Sequence, residues 1–149
     1  MIIALKLIHE AGPMRFIVAF PLLLLVLVAY NVMAFWEPGA LWAEAIRVNM
    51  MSGASLALQW ADVLILAAFF LLFVEVLKAA RVGSLTIIDH IMSTGVFIAM
   101  LVEFLLVPQA GTAPFFMLLG ISLIDVVAGY SISIRSARRD VAFGMDGSA

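Results

Sequence analysis

The sequence predicts an all-α membrane protein: four transmembrane helices, with an interfacial helix on the outer surface between helices 1 and 2. Three observations lead there. The chain is 66% hydrophobic and 12% charged, with a mean hydropathy of +1.21, whereas soluble domains are about half apolar and a quarter charged. It contains four apolar runs of the roughly 20 residues needed to cross a hydrocarbon core of about 30 Å. Its basic residues gather on alternate connections. No stretch of about ten residues alternates with period two as a membrane barrel strand would, and the remaining way to satisfy backbone groups in lipid is the helix. All 149 residues are assigned to a single transmembrane domain.

Helix 1 is predicted over residues 16–35. This run carries no charge and is longer than the core of a signal peptide, so it is expected to be retained despite the passable cleavage pattern Val32-Met33-Ala34. Pro21 is expected to bend its cytoplasmic end, and residues 1–10 to form a short surface helix. Helix 2 is predicted over 56–77, helix 3 over 87–107 and helix 4 over 113–134. Between helices 1 and 2, Leu41, Trp42, Ala45, Ile46 and Val48 to Met50 give the stretch from Glu37 to Gln59 an uneven apolar face beside Glu44 and Arg47. That face suggests a helix lying on the outer leaflet. Pro108 and Gly111 mark a tight outer hairpin between helices 3 and 4, with Thr112 placed to cap helix 4 and Pro114 in its first turn. The short inner link after Arg81 should make helices 2, 3 and 4 antiparallel neighbours. The tail after Asp140 is expected to be disordered.

Orientation follows from the basic residues. Lys6, Arg15, Lys78, Arg81, Arg135, Arg138 and Arg139 fall on one face and only Arg47 on the other. The positive-inside rule therefore puts both termini in the cytoplasm, with the chain as a multi-pass protein of a bacterial-type inner membrane. Trp36, Trp42 and Trp60 would then anchor the outer interface. The net charge of −2 leaves no electrostatic footprint for nucleic acid.

The chemistry available is narrow. The absence of cysteine excludes disulfides, thiolate metal sites, c-type haem attachment and thiol nucleophiles. No phosphate-binding glycine loop, HExxH or GxSxG is present, so no catalytic residue, metal ligand or cofactor is assigned and an enzyme is not expected. His9 and His90 could in principle ligate a haem, but Asp89-His90 reads better as the opening of helix 3, where an acid suits the positive end of the helix dipole. The nine methionines and eleven phenylalanines are read as packing or lipid-facing residues.

Acids at membrane depth are costly, and they are the informative residues. Asp62 reads as a solvated helix end. Glu75 precedes Lys78 by three residues and can pair with it near the inner interface. Glu103 and Asp125 have no basic residue expected at their depth. Ser122, Asp125, Gly129 and Ser133 share one face of helix 4, and Asp89, Gly95, Ala99 and Glu103 share one face of helix 3. Two readings stay open. In one, these acids hydrogen-bond across a close contact of helices 3 and 4. In the other, Glu103 and Asp125 form a proton or cation relay, or dock a basic residue of another subunit; Asp125, Glu103 and Glu75 are the intramembrane acidic candidates.

Two resemblances bear on function. The run Phe69-Phe70-Leu71-Leu72-Phe73-Val74-Glu75-Val76-Leu77-Lys78, the short inner link, Val102-Glu103-Phe104-Leu105-Leu106-Val107 and the basic stretch Arg135 to Arg139 resemble the phosphate-starvation-inducible PsiE-like family of small four-helix membrane proteins. That likeness covers about the last 90 residues and implies a four-helix plan without a defined activity. Trp42-Ala43-Glu44 after a first helix is similar to the small membrane subunit of tripartite periplasmic transporters. The sequence thus predicts a non-catalytic membrane component, either an accessory subunit of a larger complex or a self-associating bundle. Its partners would be the lipid bilayer and other subunits or copies. The alternative is a small proton- or cation-coupled channel or transporter that uses its intramembrane carboxylates.

Overall fold

The computed structural model describes residues 20–37, 39–79 and 85–145. It is mostly helical, with α1 at Leu23–Trp36, β1 at Glu44–Asn49, β2 at Ser55–Gln59, α2 at Trp60–Ala79, α3 at Leu85–Leu106 and α4 at Ala113–Met145. Single 3-10 turns at Ala40–Trp42 and Pro108–Ala110 join the elements. Three stretches are long and apolar enough to cross a membrane: Trp60–Ala79, Ile88–Leu106 and Ala113–Ile132. This is a membrane protein by the length and composition of those helices. The described part of the first helix has 14 residues, about 21 Å at ~1.5 Å per residue. The surface helix expected over residues 1–10 and the start of helix 1 at residue 16 lie outside the described residues.

The expected interfacial helix is absent from its place. Residues 44–59 form an antiparallel hairpin instead, pairing Ile46 with Leu58, Arg47 with Ala57, Val48 with Leu56 and Asn49 with Ser55. The cause is local. Ile46 and Val48 alternate with Arg47 and Asn49, and Leu56 and Leu58 alternate with Ser55, Ala57 and Gln59, so each strand keeps apolar groups on one face. β-Branched Ile46 and Val48 favour the extended backbone over the helix. The turn is closed by Gly53 at φ +86°, where its amide donates to Met50 O at 3.0 Å while Met50 N donates to Ala54 O at 2.8 Å. A side chain would be strained at that φ. On the polar side Arg47 binds Glu44 through Nε at 2.7 Å and Nη2 at 2.5 Å. The guanidinium holds the Glu44 carboxyl below the usual carboxylate range.

Because β2 takes residues 55–59, α2 starts at Trp60 rather than near 56. At the other boundary α4 continues through Met145, past the expected end at 134 and into the tail expected to be disordered. Pro21 lies just before α1, where its carbonyl accepts from Leu24 N at 3.1 Å, so it opens the helix instead of bending it. Thr112 caps α4: its Oγ1 accepts from Phe115 N at 3.3 Å and its carbonyl from Phe116 N at 3.0 Å.

In the bundle α4 packs against both α2 and α3, and α1 packs against α2. Tyr30, Phe115 and Leu118 are fully buried at its centre. The Tyr30 and Phe115 rings meet edge to face with centroids 4.8 Å apart. Most of the remaining large apolar side chains are exposed on the helix flanks, as expected where lipid replaces water. There the hydrophobic effect does little to hold helix on helix, and close packing and interhelical hydrogen bonds do more.

Tyr30 supplies one such bond pair. Its hydroxyl donates to Gln109 O at 3.1 Å and lies 2.7 Å from Thr112 Oγ1, tying α1 to the α3–α4 turn. Tyr30→Phe keeps the ring and strands these partners, so we expect a loss of about 1–2 kcal/mol in detergent unfolding. An unchanged unfolding curve would contradict that role.

Candidate functional site

The polar residues collect at two levels of the bundle. The larger cluster lies near the α2–α3 connection. Lys78, in the last turn of α2, extends its ammonium to three acceptors: Glu75 Oε2 at 2.7 Å, Phe20 O at 2.9 Å and Asp89 Oδ1 at 3.2 Å. An ammonium carries three N–H donors, so each has one acceptor. The side chains of Lys78, Glu75 and Asp89 are 12%, 2% and 10% exposed. Glu75 Oε1 accepts a hydrogen bond from Leu22 N, directly before α1. An anion there also suits the positive end of the α1 dipole. Glu75 and Lys78 together hold the start of α1 against α2, and Asp89 brings in α3.

Asp125 adjoins this cluster from α4. It is buried, hydrogen-bonded with the Ser93 side chain, and within electrostatic reach of Glu75, Asp89 and Lys78. The packing of α4 on α2 thus puts Lys78 within electrostatic reach of Asp125, a neighbour that the sequence alone does not supply. His90, on α3, is buried, with its ring 5.3 Å from that of Tyr130. A Cβ built on Gly129 would lie 2.8 Å from His90 Cε1 and Nδ1. Glycine at 129 is what lets the imidazole lie against α4.

The second level holds Glu103. Its expected partner across the helix 3 to helix 4 contact is replaced by Asn31 of α1, whose Nδ2 donates to Glu103 Oε2 at 3.1 Å. Glu103 Oε1 is buried with no partner among the described residues. The face of α3 that is buried runs through Asp89, Ser93, Val96 and Met100, whereas Gly95 and Ala99 are exposed. Asp125 and Glu103 thus belong to different clusters.

The tryptophans gather at the opposite end from Lys78. Trp36 ends α1, Trp42 closes the following 3-10 turn and Trp60 opens α2; they are 86%, 48% and 45% exposed. Asp62 accepts from Gln59 N at 2.8 Å, which fixes the passage from β2 into α2. Among the described residues, no three His, Asp or Glu side chains are grouped so as to hold a metal ion. Sequence spacing did not single out Ser93, Asn31 or Tyr30. Ser93 and Asn31 meet their acids across helices, Tyr30 meets the α3–α4 turn, and no local pattern marks any of these partners.

With this geometry in place, comparison with known proteins adds no assignment: no family model, curated protein or solved structure matches the chain. The functional reading rests on the clusters themselves.

Proposed function

We propose that this protein is a non-catalytic integral membrane component, a four-helix bundle that serves as an accessory subunit of a larger inner-membrane assembly or associates with itself. The observation that carries it is the Lys78 node. All three ammonium donors are engaged in joining α1, α2 and α3, so the strongest polar group in the bundle serves cohesion between helices. The exposed apolar flanks of the spanning helices then face lipid or neighbouring subunits. The basic asymmetry of the sequence favours cytoplasmic termini, with the hairpin on the outer side.

A second reading has its own observation. Glu75 and Asp89 both bind the Lys78 ammonium and Asp125 lies within electrostatic reach of it, and buried carboxylates grouped with one lysine are the kind of cluster that proton and cation relays use. Purification in mild detergent, followed by flux measurement in liposomes, separates the two readings. An assembly larger than one chain that survives Asp125→Asn, without pH-dependent flux by the wild type, supports the first. Flux by the isolated wild type that disappears in Asp125→Asn supports the second and overturns the first.

A further inference from the structure

We propose that the groove between the last turn of α1 and the start of α2 binds a phospholipid with a cationic amine headgroup. The groove is open and has a volume of about 630 Å³, within the roughly 300–1,000 Å³ of small-molecule sites. Val32, Met33 and Ala43 give it an apolar wall; Trp36 and Trp60 flank it, and Glu37 lies at its rim. Its position favours a lipid over a soluble ligand. α1 ends at Trp36 and the spanning helix α2 begins at Trp60, so the groove lies where apolar helix meets charged surface, the level at which indoles settle in bilayers.

Charge selects the headgroup. Glu37 is exposed and has no ion-pair or hydrogen-bond partner through its side chain among the described residues. Among the described residues the one basic side chain at this end, Arg47, is engaged by both carboxylate oxygens of Glu44. Asp62 is occupied by Gln59 N. An incoming ammonium therefore meets a free carboxylate beside two indoles, a ring type whose face attracts cations. An anionic headgroup meets Glu37 with no free cation among the described residues to offset it. The apolar wall below accommodates the upper acyl chain.

Native mass spectrometry of the full-length protein tests this, using micelles loaded with equal amounts of phosphatidylethanolamine and phosphatidylglycerol of matched acyl chains. We expect the ethanolamine lipid to be retained about fivefold over the glycerol lipid, the scale of one exposed ion pair with a cation–π contact. Glu37→Gln, which keeps the backbone and changes an exposed side chain without partners among the described residues, should bring the ratio to about one while circular dichroism stays unchanged. Trp36→Ala should lower retention of the ethanolamine lipid. Equal retention of both lipids by the wild type would overturn the proposal, as would a preference that survives Glu37→Gln. A dimer without bound phospholipid would put a second copy in the groove and overturn it as well.

Discussion

Replacing Lys78 with methionine is expected to cost about 3–5 kcal/mol of stability in detergent, because it leaves Glu75 and Asp89 buried without their shared cation. Both carboxylates are nearly inaccessible, at 2% and 10% side-chain exposure, so water cannot take over from the ammonium as it does at a surface pair. Phe20 O also loses its donor. The comparison that isolates charge from packing is the triple variant Lys78→Met with Glu75→Gln and Asp89→Asn. Neutral amides of similar shape need no counter-charge, and neutral replacements of a whole buried ionic group are often tolerated. The triple variant should therefore regain most of what the single one loses. Unfolding in mixed micelles, followed by circular dichroism, reads both. A single variant within about 1 kcal/mol of wild type would show that Lys78 is solvated and that the node does not hold α1, α2 and α3 together.

The parts of this node differ in how far the sequence reveals them. Glu75 and Lys78 are three apart on one helix, and that spacing alone brings them together. Asp89 follows across a short link, so its nearness to Lys78 is implied by the antiparallel turn. Phe20 O and Leu22 N are backbone groups far away in the chain, and no side-chain pattern can announce them. Asp125 shows a different limit. Counting depth along each apolar run by itself put it near a membrane centre without a cation. The bundle sets α4 against the end of α2, and α4 itself runs on to Met145, so the middle of the apolar run does not locate the residue relative to Lys78. Glu103 was legible as an interior acid but not in its partner, since Asn31 lies 72 residues away.

The helices were legible from hydropathy, whereas the hairpin was not, although its signal is present. Ile46, Val48, Leu56 and Leu58 alternate with polar or small residues over only five or six positions in each strand. In so short a stretch Ala45 beside Ile46 blurs the period and a helical face can be drawn through the same residues. The irregular register between Glu44 and Ile46 adds to the blur. Gly53 was the clearer clue, for a glycine between two short β-branched or leucine-rich runs marks a reversal.

Gly129→Ala should destabilise the bundle even though the same change usually strengthens a helix. Helix propensity alone favours alanine over glycine by about 1 kcal/mol. Against this, the new methyl would lie 2.8 Å from two atoms of the His90 ring, and overpacking of a filled contact costs about 1–3 kcal/mol. The sign depends on whether the imidazole can retreat. His90 is 6% exposed and its ring lies beside that of Tyr130, so the imidazole has little free space to swing into and the new methyl presses on the α3–α4 contact. Gly120, on the same helix, provides the control: nothing lies within 4 Å of a Cβ built there, and Gly120→Ala should be neutral or mildly stabilising. The expected gap between the two variants is about 2 kcal/mol in the same unfolding assay. His90→Ala removes the obstructing ring, so adding Gly129→Ala to that background should cost nothing further. Equal stability of the Gly129 and Gly120 variants would mean that α3 and α4 are not in this close contact. A penalty for Gly129→Ala that persists without the imidazole would place the obstruction elsewhere than at His90.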